Sequence, residues 1–457
     1  MSTEIDVVVV GAGGCGLAAA IAAHDAGVST AILEKLDRPG GNSSLSTGSV
    51  PAAGSRFQRE AGIVDSAERM EADLLAISGG TDEPELVRRL SEVSAETVEW
   101  LIDTVGARMQ LITAYKHIGH TVPRLHAPIS RRGQDLVDDL LAAVEKREIP
   151  LAVGNGVRDL IVDDGAVRGV VVENAAGGTE KILAGKVILA VNGYAGNPDL
   201  VRRFCPEIAG AQYFGARGST GEAVLWGERL GAGLSNMAAY QGYAAVADPH
   251  GSLLSWTTIE KGGILVDHRA RRFGDESLGY SGYARNVLAQ GQYCYALFDQ
   301  RIFDIAKAEE EFVELFRYGG LKTGASPAEI AAAYGLDAAA LSETVADYNA
   351  AADGARADAF RRRDFGQAPF APPYYGCRVV PGLFHTQGGL KIDRDARVLK
   401  PDGAVVPNLF AGGGAAAGIS GRAGALGYAS GNGLLSAIGL GRLAGLAAGR
   451  EVLERNS

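Results

Sequence analysis

The sequence predicts a mixed α/β fold, in which a discontinuous domain built around a parallel sheet carries a smaller inserted α+β domain. An apolar run, Val7–Val10, enters a glycine-rich turn and a helix at the start of the chain. After residue 379 the chain returns to strand, glycine loop and long helix. Between these parts the composition changes, so we expect the first domain to comprise 1–235 and 376–457 and the inserted, substrate-capping domain to comprise 236–375.

The first turn has the spacing of a dinucleotide-binding site. Gly11, Gly13 and Gly16 form GxGxxG between a predicted strand and a predicted helix. The first glycine allows the sharp bend, the second lets the backbone approach a pyrophosphate, and the third lets helix and strand pack closely. Glu34 ends the next strand, where a carboxylate accepts hydrogen bonds from a ribose diol. This order predicts a Rossmann-like domain that binds a dinucleotide at the helix N-terminus.

Hydrophobic spacing divides the rest of the chain. Residues 83–147 have apolar positions three and four apart and are predicted to be mostly helical. Residues 151–193 are predicted to be strands, with a hairpin turn at Asp164-Gly165. Residues 326–349 are predicted to form a pair of capped helices within the inserted domain.

The composition excludes several classes of protein. With a net charge of −10, the chain has no general attraction for nucleic acid or anionic lipid. The N-terminus lacks a basic segment, and no stretch of about 20 apolar residues is free of charge, so we expect a cytoplasmic protein without a membrane span. The four cysteines form no CxxC pair and are expected to be reduced, and no His and Cys cluster predicts a metal.

Four later segments carry a resemblance to a known family. They are VNGYAGN (Val191–Asn197), GSTGEAVLWGERLGA (Gly218–Ala232), HTQGGLKID (His385–Asp393) and PNLFAGGGAAAGISG (Pro407–Gly421). Together with the N-terminal turn, and in this order, they resemble the flavoproteins that include soluble fumarate reductases and 3-ketosteroid dehydrogenases, nearly end to end. In its pocket residues the chain is most similar to the ketone desaturases, such as 3-ketosteroid Δ1-dehydrogenase and 4-oxocyclohexanecarboxylate desaturase.

The resemblance implies FAD, with its isoalloxazine between the two domains. Asn42 and Ser43 stand where membrane-bound relatives carry the histidine that links covalently to flavin, so non-covalent FAD is expected. A helix starting near Gly433 would point its positive end at the flavin pyrimidine. The chain has no second dinucleotide turn and no haem or iron–sulfur motif, so electrons would pass to an external acceptor such as oxygen, a quinone or another carrier. The residues implied to bind FAD are Gly11, Gly13, Gly14, Gly16, Glu34, Lys35, Gly41, Asn42, Ser43, Ser46, Thr47, Gly48, Val157, Asn192, Gly193, Gly413, Gly414, Gly433 and Leu434.

The implied substrate pocket has tyrosines where fumarate reductases carry cationic or imidazole groups. Tyr280 lies eight residues after Arg272, the spacing of an arginine proton donor in fumarate reductases and of a tyrosine base in 3-ketosteroid dehydrogenases. Tyr243 stands in place of a fumarate-binding histidine, and Tyr428 in place of the C-terminal substrate arginine. Phenols cannot replace the hydration of a dicarboxylate, but they can serve a ketone.

The resemblance assigns each of these groups a role. Tyr428 and the Gly431 N–H would bind the carbonyl oxygen as it becomes an enolate. Tyr280 would take the α-proton, and Tyr243 is a neighbour that would relay it.

Three further residues are implied at the substrate: His385, Arg422 and Tyr115. Because a phenol of ordinary pKa is a poor base at neutral pH, a cation such as Arg422 or His385 would lower the pKa of the tyrosine base. Arg422 either binds a substrate carboxylate or only caps the glycine loop.

The sequence therefore predicts an FAD-dependent dehydrogenase that introduces a C=C bond beside a cyclic ketone carbonyl, with the β-hydride passing to flavin N5. The substrate would be a 3-ketosteroid or a small keto acid such as 4-oxocyclohexanecarboxylate, and the compact inserted domain favours the small acid. Two alternatives stay open. One is an enoate reductase of the fumarate or urocanate type, and the other is an FAD-binding protein without turnover.

Overall fold

The computed structural model describes residues 4–114, 116–174 and 177–456. Within them the chain forms two compact units, each with its own hydrophobic core. The first unit consists of the residues up to Pro206, Gly215–Gln241 and the residues from His385 onward. The second unit consists of Glu207–Phe214 and Gly242–Phe384.

Strands and helices of the described residues are numbered in chain order. The strands are β1 (Glu4–Val10), β2 (Thr30–Leu33), β3 (Val50–Pro51), β4 (Met109–Leu111), β5 (Leu125–Pro128), β6 (Leu151–Ala152), β7 (Gly156–Asp163), β8 (Ala166–Glu173), β9 (Thr179–Leu189), β10 (Gln212–Tyr213), β11 (Leu234–Ser235), β12 (Ala238–Ala247), β13 (Ile264–Val266), β14 (Cys294–Asp299), β15 (Lys322–Gly324), β16 (Tyr374–Thr386), β17 (Gly389–Leu390), β18 (Arg397–Leu399), β19 (Val405–Ala411) and β20 (Ala423–Gly424). The helices are α1 (Gly14–Asp25), α2 (Gly41–Ser44), α3 (Arg56–Glu60), α4 (Ala67–Ile77), α5 (Pro84–Trp100), α6 (Gly133–Lys146), α7 (Pro198–Phe204), α8 (Glu222–Leu230), α9 (Thr257–Glu260), α10 (Gly279–Gly282), α11 (Ala284–Leu288), α12 (Gln300–Ala306), α13 (Glu310–Arg317), α14 (Pro327–Tyr334), α15 (Ala338–Ala352) and α16 (Asn432–Asn456).

The first unit is built on an eight-stranded sheet. Its strands run in the order β18-β19-β9-β1-β2-β6, and the β7–β8 hairpin joins it beside β9. The pairs β1–β2, β1–β9, β9–β19 and β2–β6 are parallel. Val7, Val8 and Val9 of β1 are fully buried, as expected of a parallel strand with both faces covered. The predicted mixed α/β class is confirmed.

The first and last helices pack backbone against backbone. A Cβ at Gly441 would collide with the Cys15 carbonyl, and one at Gly445 would collide with the Ala19 carbonyl. Glycines four residues apart on α16 therefore let it lie close along α1. Burial raises the pKa of the Cys15 thiol to about 12, and all four cysteines are buried and free.

The predicted hairpin is confirmed. Strands β7 and β8 pair antiparallel from Gly156 to Glu173. Asp164 and Gly165 at its turn have φ of +45° and +72°. Both positions are therefore left-handed, as the favoured two-residue hairpin turn requires.

The prediction of a mostly helical segment over 83–147 is only partly right. Helices α5 and α6 form its two ends, but β4 and β5 lie between them and form a three-stranded sheet with β3. Strands of three and four residues are too short for an alternating pattern to stand out against helical spacing.

The second unit is centred on β16. Strand β14 pairs antiparallel with it, β13 pairs with β14, and β10 and β15 also pair with β16. The predicted helix pair is confirmed as α14 and α15. Ser326 Oγ accepts the Glu329 N–H at 3.3 Å, and Asp337 Oδ1 accepts the Ala340 N–H at 2.9 Å. These N-caps fix where the two helices begin.

Candidate functional site

Two glycines of the turn after β1 have no room for a side chain. Gly11 has φ of +105°, and a Cβ there would collide with the Ala190 carbonyl. A Cβ at Gly16 would collide with the Gly11 carbonyl. Gly13 ends the turn in extended backbone at the N-terminus of α1. The turn therefore keeps the helix N-terminus open to an anionic group.

Glu34 lies at the end of β2 beside this turn. Its carboxylate accepts the Ala12 N–H at 2.8 Å and the Leu36 N–H at 2.9 Å, and the residue is 9% exposed. The neighbouring Lys35 donates to Thr220 Oγ1 at 2.9 Å and forms an ion pair with Glu222. The carboxylate is thus held at the position from which a ribose diol is bound in Rossmann-like folds.

The segment from Gly40 to Ser49 covers the turn from a second side. Ser43 Oγ accepts the Gly14 N–H at 3.1 Å, and Asn42 Oδ1 accepts the Ala216 N–H at 2.6 Å. Ser46 Oγ donates to the Ser43 carbonyl at 2.7 Å, and Thr47 shares a hydrogen bond of 2.9 Å with Ser49. Gly41 and Gly48 have φ of +54° and +70°. Both are left-handed positions that glycine occupies without strain.

Two further predicted segments meet in the same unit. A Cβ at Gly414 would collide with the Asn192 side chain, and one at Gly193 would collide with Thr386 Oγ1. A Cβ at Gly413 would lie 3.2 Å from the Cys15 side chain at the start of α1. The predicted glycines after β9 and β19 are therefore brought together beside the first turn. Val157 lies in β7 and is 7% exposed.

This cradle fits FAD. At these glycines the chain presents backbone instead of side chains. N–H groups and a helix N-terminus are therefore left to face phosphates. All nineteen residues predicted for the cofactor lie in the first unit.

A phenol and an imidazole face each other near the start of α16. The ring centroids of Tyr428 and His385 are 6.4 Å apart, and Tyr428 is 8% exposed. A Cβ at Gly433 would lie 3.3 Å from the His385 ring, and Gly431, with φ of +83°, precedes α16. Desolvation lowers the pKa of His385 to about 4. Burial therefore favours the neutral imidazole, which speaks against the cationic role predicted for His385.

Arg422 lies on the glycine loop and points to solvent. Its side chain is 63% exposed, with a guanidinium nitrogen 3.6 Å from Glu83 Oε1. The neighbouring Gly421 N–H donates to Asp82 Oδ1 at 2.7 Å. Two roles were left open for Arg422: binding a substrate carboxylate, or only capping the glycine loop. These contacts favour the second role.

Tyrosines of the second unit form an aromatic cluster. Tyr243 contacts Tyr280 at a centroid distance of 5.3 Å and stacks on Phe384 at 5.4 Å. Its hydroxyl donates to the Leu254 carbonyl at 2.9 Å, and burial raises the pKa of Tyr243 well above its ordinary value. Tyr280 is half-buried. The predicted neighbours do touch, but the Tyr243 hydroxyl bonds to backbone.

Tyr115 lies outside the described residues. Two residues with close contacts to the site segments were not among the predicted site residues. Asp82 bonds Gly421, and His120 bonds the Ser430 carbonyl at 2.9 Å. Each partner is more than 300 residues away, a distance across which one sequence carries no pairing information.

The Rossmann-like sheet and its glycine cradle define an FAD-dependent oxidoreductase. The chain belongs to the FAD binding domain family, whose model matches residues 6–434.

Relatives within this family differ in the reactions their names describe. The NADH:fumarate oxidoreductase of Klebsiella pneumoniae is 32% identical over 91% of this chain, and this chain spans 45% of its length. The fumarate reductase (cytochrome) of Shewanella frigidimarina is 32% identical over 96% of this chain and 76% of its own. The structure of the 3-ketosteroid-Δ4-(5α)-dehydrogenase of Rhodococcus jostii RHA1, in complex with 4-androstene-3,17-dione, superposes with a TM-score of 0.78. It is 27% identical and covers 98% of this chain and 97% of its own.

The described residues include neither a candidate membrane span nor a candidate metal site. No helix there is both long and apolar enough to cross a bilayer. No group of three or more His, Cys, Asp and Glu side chains could hold a metal ion.

Proposed function

We propose that this oxidoreductase dehydrogenates a cyclic ketone, forming a C=C bond between the carbons α and β to the carbonyl. The observation that carries this proposal is the pairing of Tyr428 with a neutral His385. A dicarboxylate would have to find cationic partners to replace its hydration. A ketone oxygen needs only hydrogen-bond donors, and a phenol and a backbone N–H are such donors.

The carbonyl oxygen would bind between Tyr428 and the Gly431 N–H. Both groups gain strength as hydrogen-bond donors when the oxygen becomes more negative, so they favour the enolate over the ketone. Gly431 is suited to this close approach because its φ of +83° is a left-handed conformation that residues with a side chain rarely adopt.

Tyr280 would accept the α-proton as the enolate forms. Bound FAD supplies the oxidant that accepts the β-hydride, so the substrate loses one proton and one hydride. Because the Tyr243 hydroxyl bonds to backbone, we assign Tyr243 to fixing the Tyr280 ring rather than to relaying the proton. The FAD is proposed to be non-covalent, and the electrons would leave to an external acceptor such as oxygen or a quinone.

Two substrate classes are compatible with these residues. The likeness to a 3-ketosteroid dehydrogenase in complex with a steroid ketone supports a 3-ketosteroid. A small keto acid such as 4-oxocyclohexanecarboxylate would need a cation, and Arg422 is the predicted candidate.

The first experiment is anaerobic mixing of the purified FAD-loaded protein with each ketone, with succinate and with buffer. Loss of the oxidised flavin band with a ketone supports the proposal and identifies the substrate class. Tyr280→Phe should retain FAD and lose this reaction. Tyr318→Phe is the matched control, because Tyr318 is 76% exposed. An unchanged reduction rate in Tyr280→Phe would remove Tyr280 as the base.

An enoate reductase is the second candidate. The observation in its favour is that the two sequence relatives described above, each 32% identical to this chain, are named for fumarate. If no ketone reduces the flavin, and fumarate or urocanate reoxidises the dithionite-reduced protein, this candidate replaces the first.

A further inference from the structure

The peptide that carries the Gly431 N–H is held by a loop far away in sequence. The loop Ile118–His120 makes two hydrogen bonds to Ser430: the Ser430 N–H donates to the Ile118 carbonyl at 3.0 Å, and the Ser430 carbonyl is 2.9 Å from His120 Nε2. A Cβ at Gly119 would collide with Ala429, so the loop lies directly on this segment.

The tautomer of His120 follows from its other neighbour. His120 Nδ1 lies 3.5 Å from Arg124 Nη1. A guanidinium can only donate, so Nδ1 must be the unprotonated nitrogen. Burial lowers the pKa of His120 to about 4, so the ring carries a single proton at neutral pH. That proton is on Nε2 and is donated to the Ser430 carbonyl.

The arginine that sets this tautomer is itself fixed. Arg124 is fully buried. It donates to both oxygens of Asp65, at 2.7 and 2.8 Å, and pairs with Asp73. The imidazole is thus oriented by a buried ionic network rather than by solvent.

We infer that His120 is a positioning residue, which aims the Gly431 N–H at the substrate carbonyl by donating a hydrogen bond to the carbonyl of the same peptide group. A peptide group is planar, so fixing the direction of the Ser430 carbonyl fixes the direction of the Gly431 N–H. A hydrogen bond accepted by the carbonyl also polarises the peptide and strengthens its N–H as a donor. This role rests on the proposed function of Gly431.

The test compares three variants of the FAD-loaded protein. His120→Phe removes the donor and keeps a ring, and His120→Gln returns an N–H near the position of Nε2. His126→Phe is the matched control, because His126 is also buried but bonds Ser55 and the Arg124 carbonyl instead. We expect kcat to fall about tenfold in His120→Phe with little change in KM, since one donor to the developing enolate is misdirected. His120→Gln should recover most of that loss, and His126→Phe should retain kcat.

A second readout does not depend on turnover. The amide resonance of Gly431 in ¹⁵N-labelled protein should move in His120→Phe, return toward its position in His120→Gln, and stay in His126→Phe. The same kcat and the same Gly431 resonance in the two Phe variants would overturn the inference. If no ketone reduces the wild-type flavin, the proposed function fails, and the Gly431 resonance alone then decides whether His120 orients this peptide.

Discussion

Replacing Asp82 by asparagine should stabilise the protein at alkaline pH more than at acidic pH. Asp82 is 2% exposed, and burial raises the pKa of its carboxyl from 3.8 to about 6. Its Oδ1 accepts the Gly421 N–H, while its Oδ2 has no hydrogen-bond partner among the described residues. An asparagine side chain at this position would keep the first bond without burying a charge.

The direction and magnitude of this pH-dependent change in stability follow from the linkage between ionisation and folding. The raised pKa means that the folded state prefers the protonated carboxyl, so this contribution to stability is complete below about pH 4 and is lost as the pH rises through 6. A shift of about two pKa units corresponds to about 3 kcal/mol in total, of which about 1.4 kcal/mol is lost between pH 5 and pH 8. Asp82→Asn should gain that amount over wild type between these two pH values.

The assay is urea unfolding at pH 5 and pH 8 with the same excess of FAD, because bound cofactor adds its own stabilisation. Thr81→Val is the control. It removes a hydroxyl of the same segment, which donates to the Ser78 carbonyl at 2.7 Å, and introduces no titratable group. The reasoning is refuted if Asp82→Asn and wild type differ by the same free energy of unfolding at both pH values.

Two further predictions concern the substrate and the cofactor. Arg422→Ala should change KM less than about fivefold, and equally for 4-oxocyclohexanecarboxylate and its ester, because an exposed ion pair is worth at most about 1 kcal/mol. A large rise in KM for the acid alone would show that Arg422 binds a carboxylate. Because Asn42 and Ser43 replace the flavin-linking histidine, acid precipitation should release all FAD into the supernatant, and a yellow pellet would contradict non-covalent binding.

Local geometry explains which parts of the fold were predictable. The turn at Gly11 and the hairpin at Asp164-Gly165 need particular residue types at fixed spacing, so both can be predicted from the sequence. The strand Met109–Leu111 is too short to show a period, and its segment was predicted to be helical. The pairing of short strands depends on partner strands that are distant in sequence. The spacing of hydrophobic residues within one segment does not reveal those partners.

The candidate site shows the same division. Residues predicted to contact the cofactor through backbone are marked by glycine, and the tyrosines predicted for the substrate are marked by their spacing to neighbouring motifs. Protonation and hydrogen bonding are set by three-dimensional surroundings instead. The sequence points to His385 but cannot show that desolvation favours its neutral form. It points to Tyr243 but cannot show that the Leu254 carbonyl accepts a hydrogen bond from its hydroxyl.

The close packing of the last helix on the first has a consequence for biosynthesis. The dinucleotide turn is made within the first twenty residues, yet Cys15 and Ala19 of its helix are covered by Gly441 and Gly445. A ribosome must therefore release the chain as far as residue 445 before this helix gains its partner. Cofactor loading is expected to wait for that point, so a nascent chain halted before residue 441 should retain no FAD.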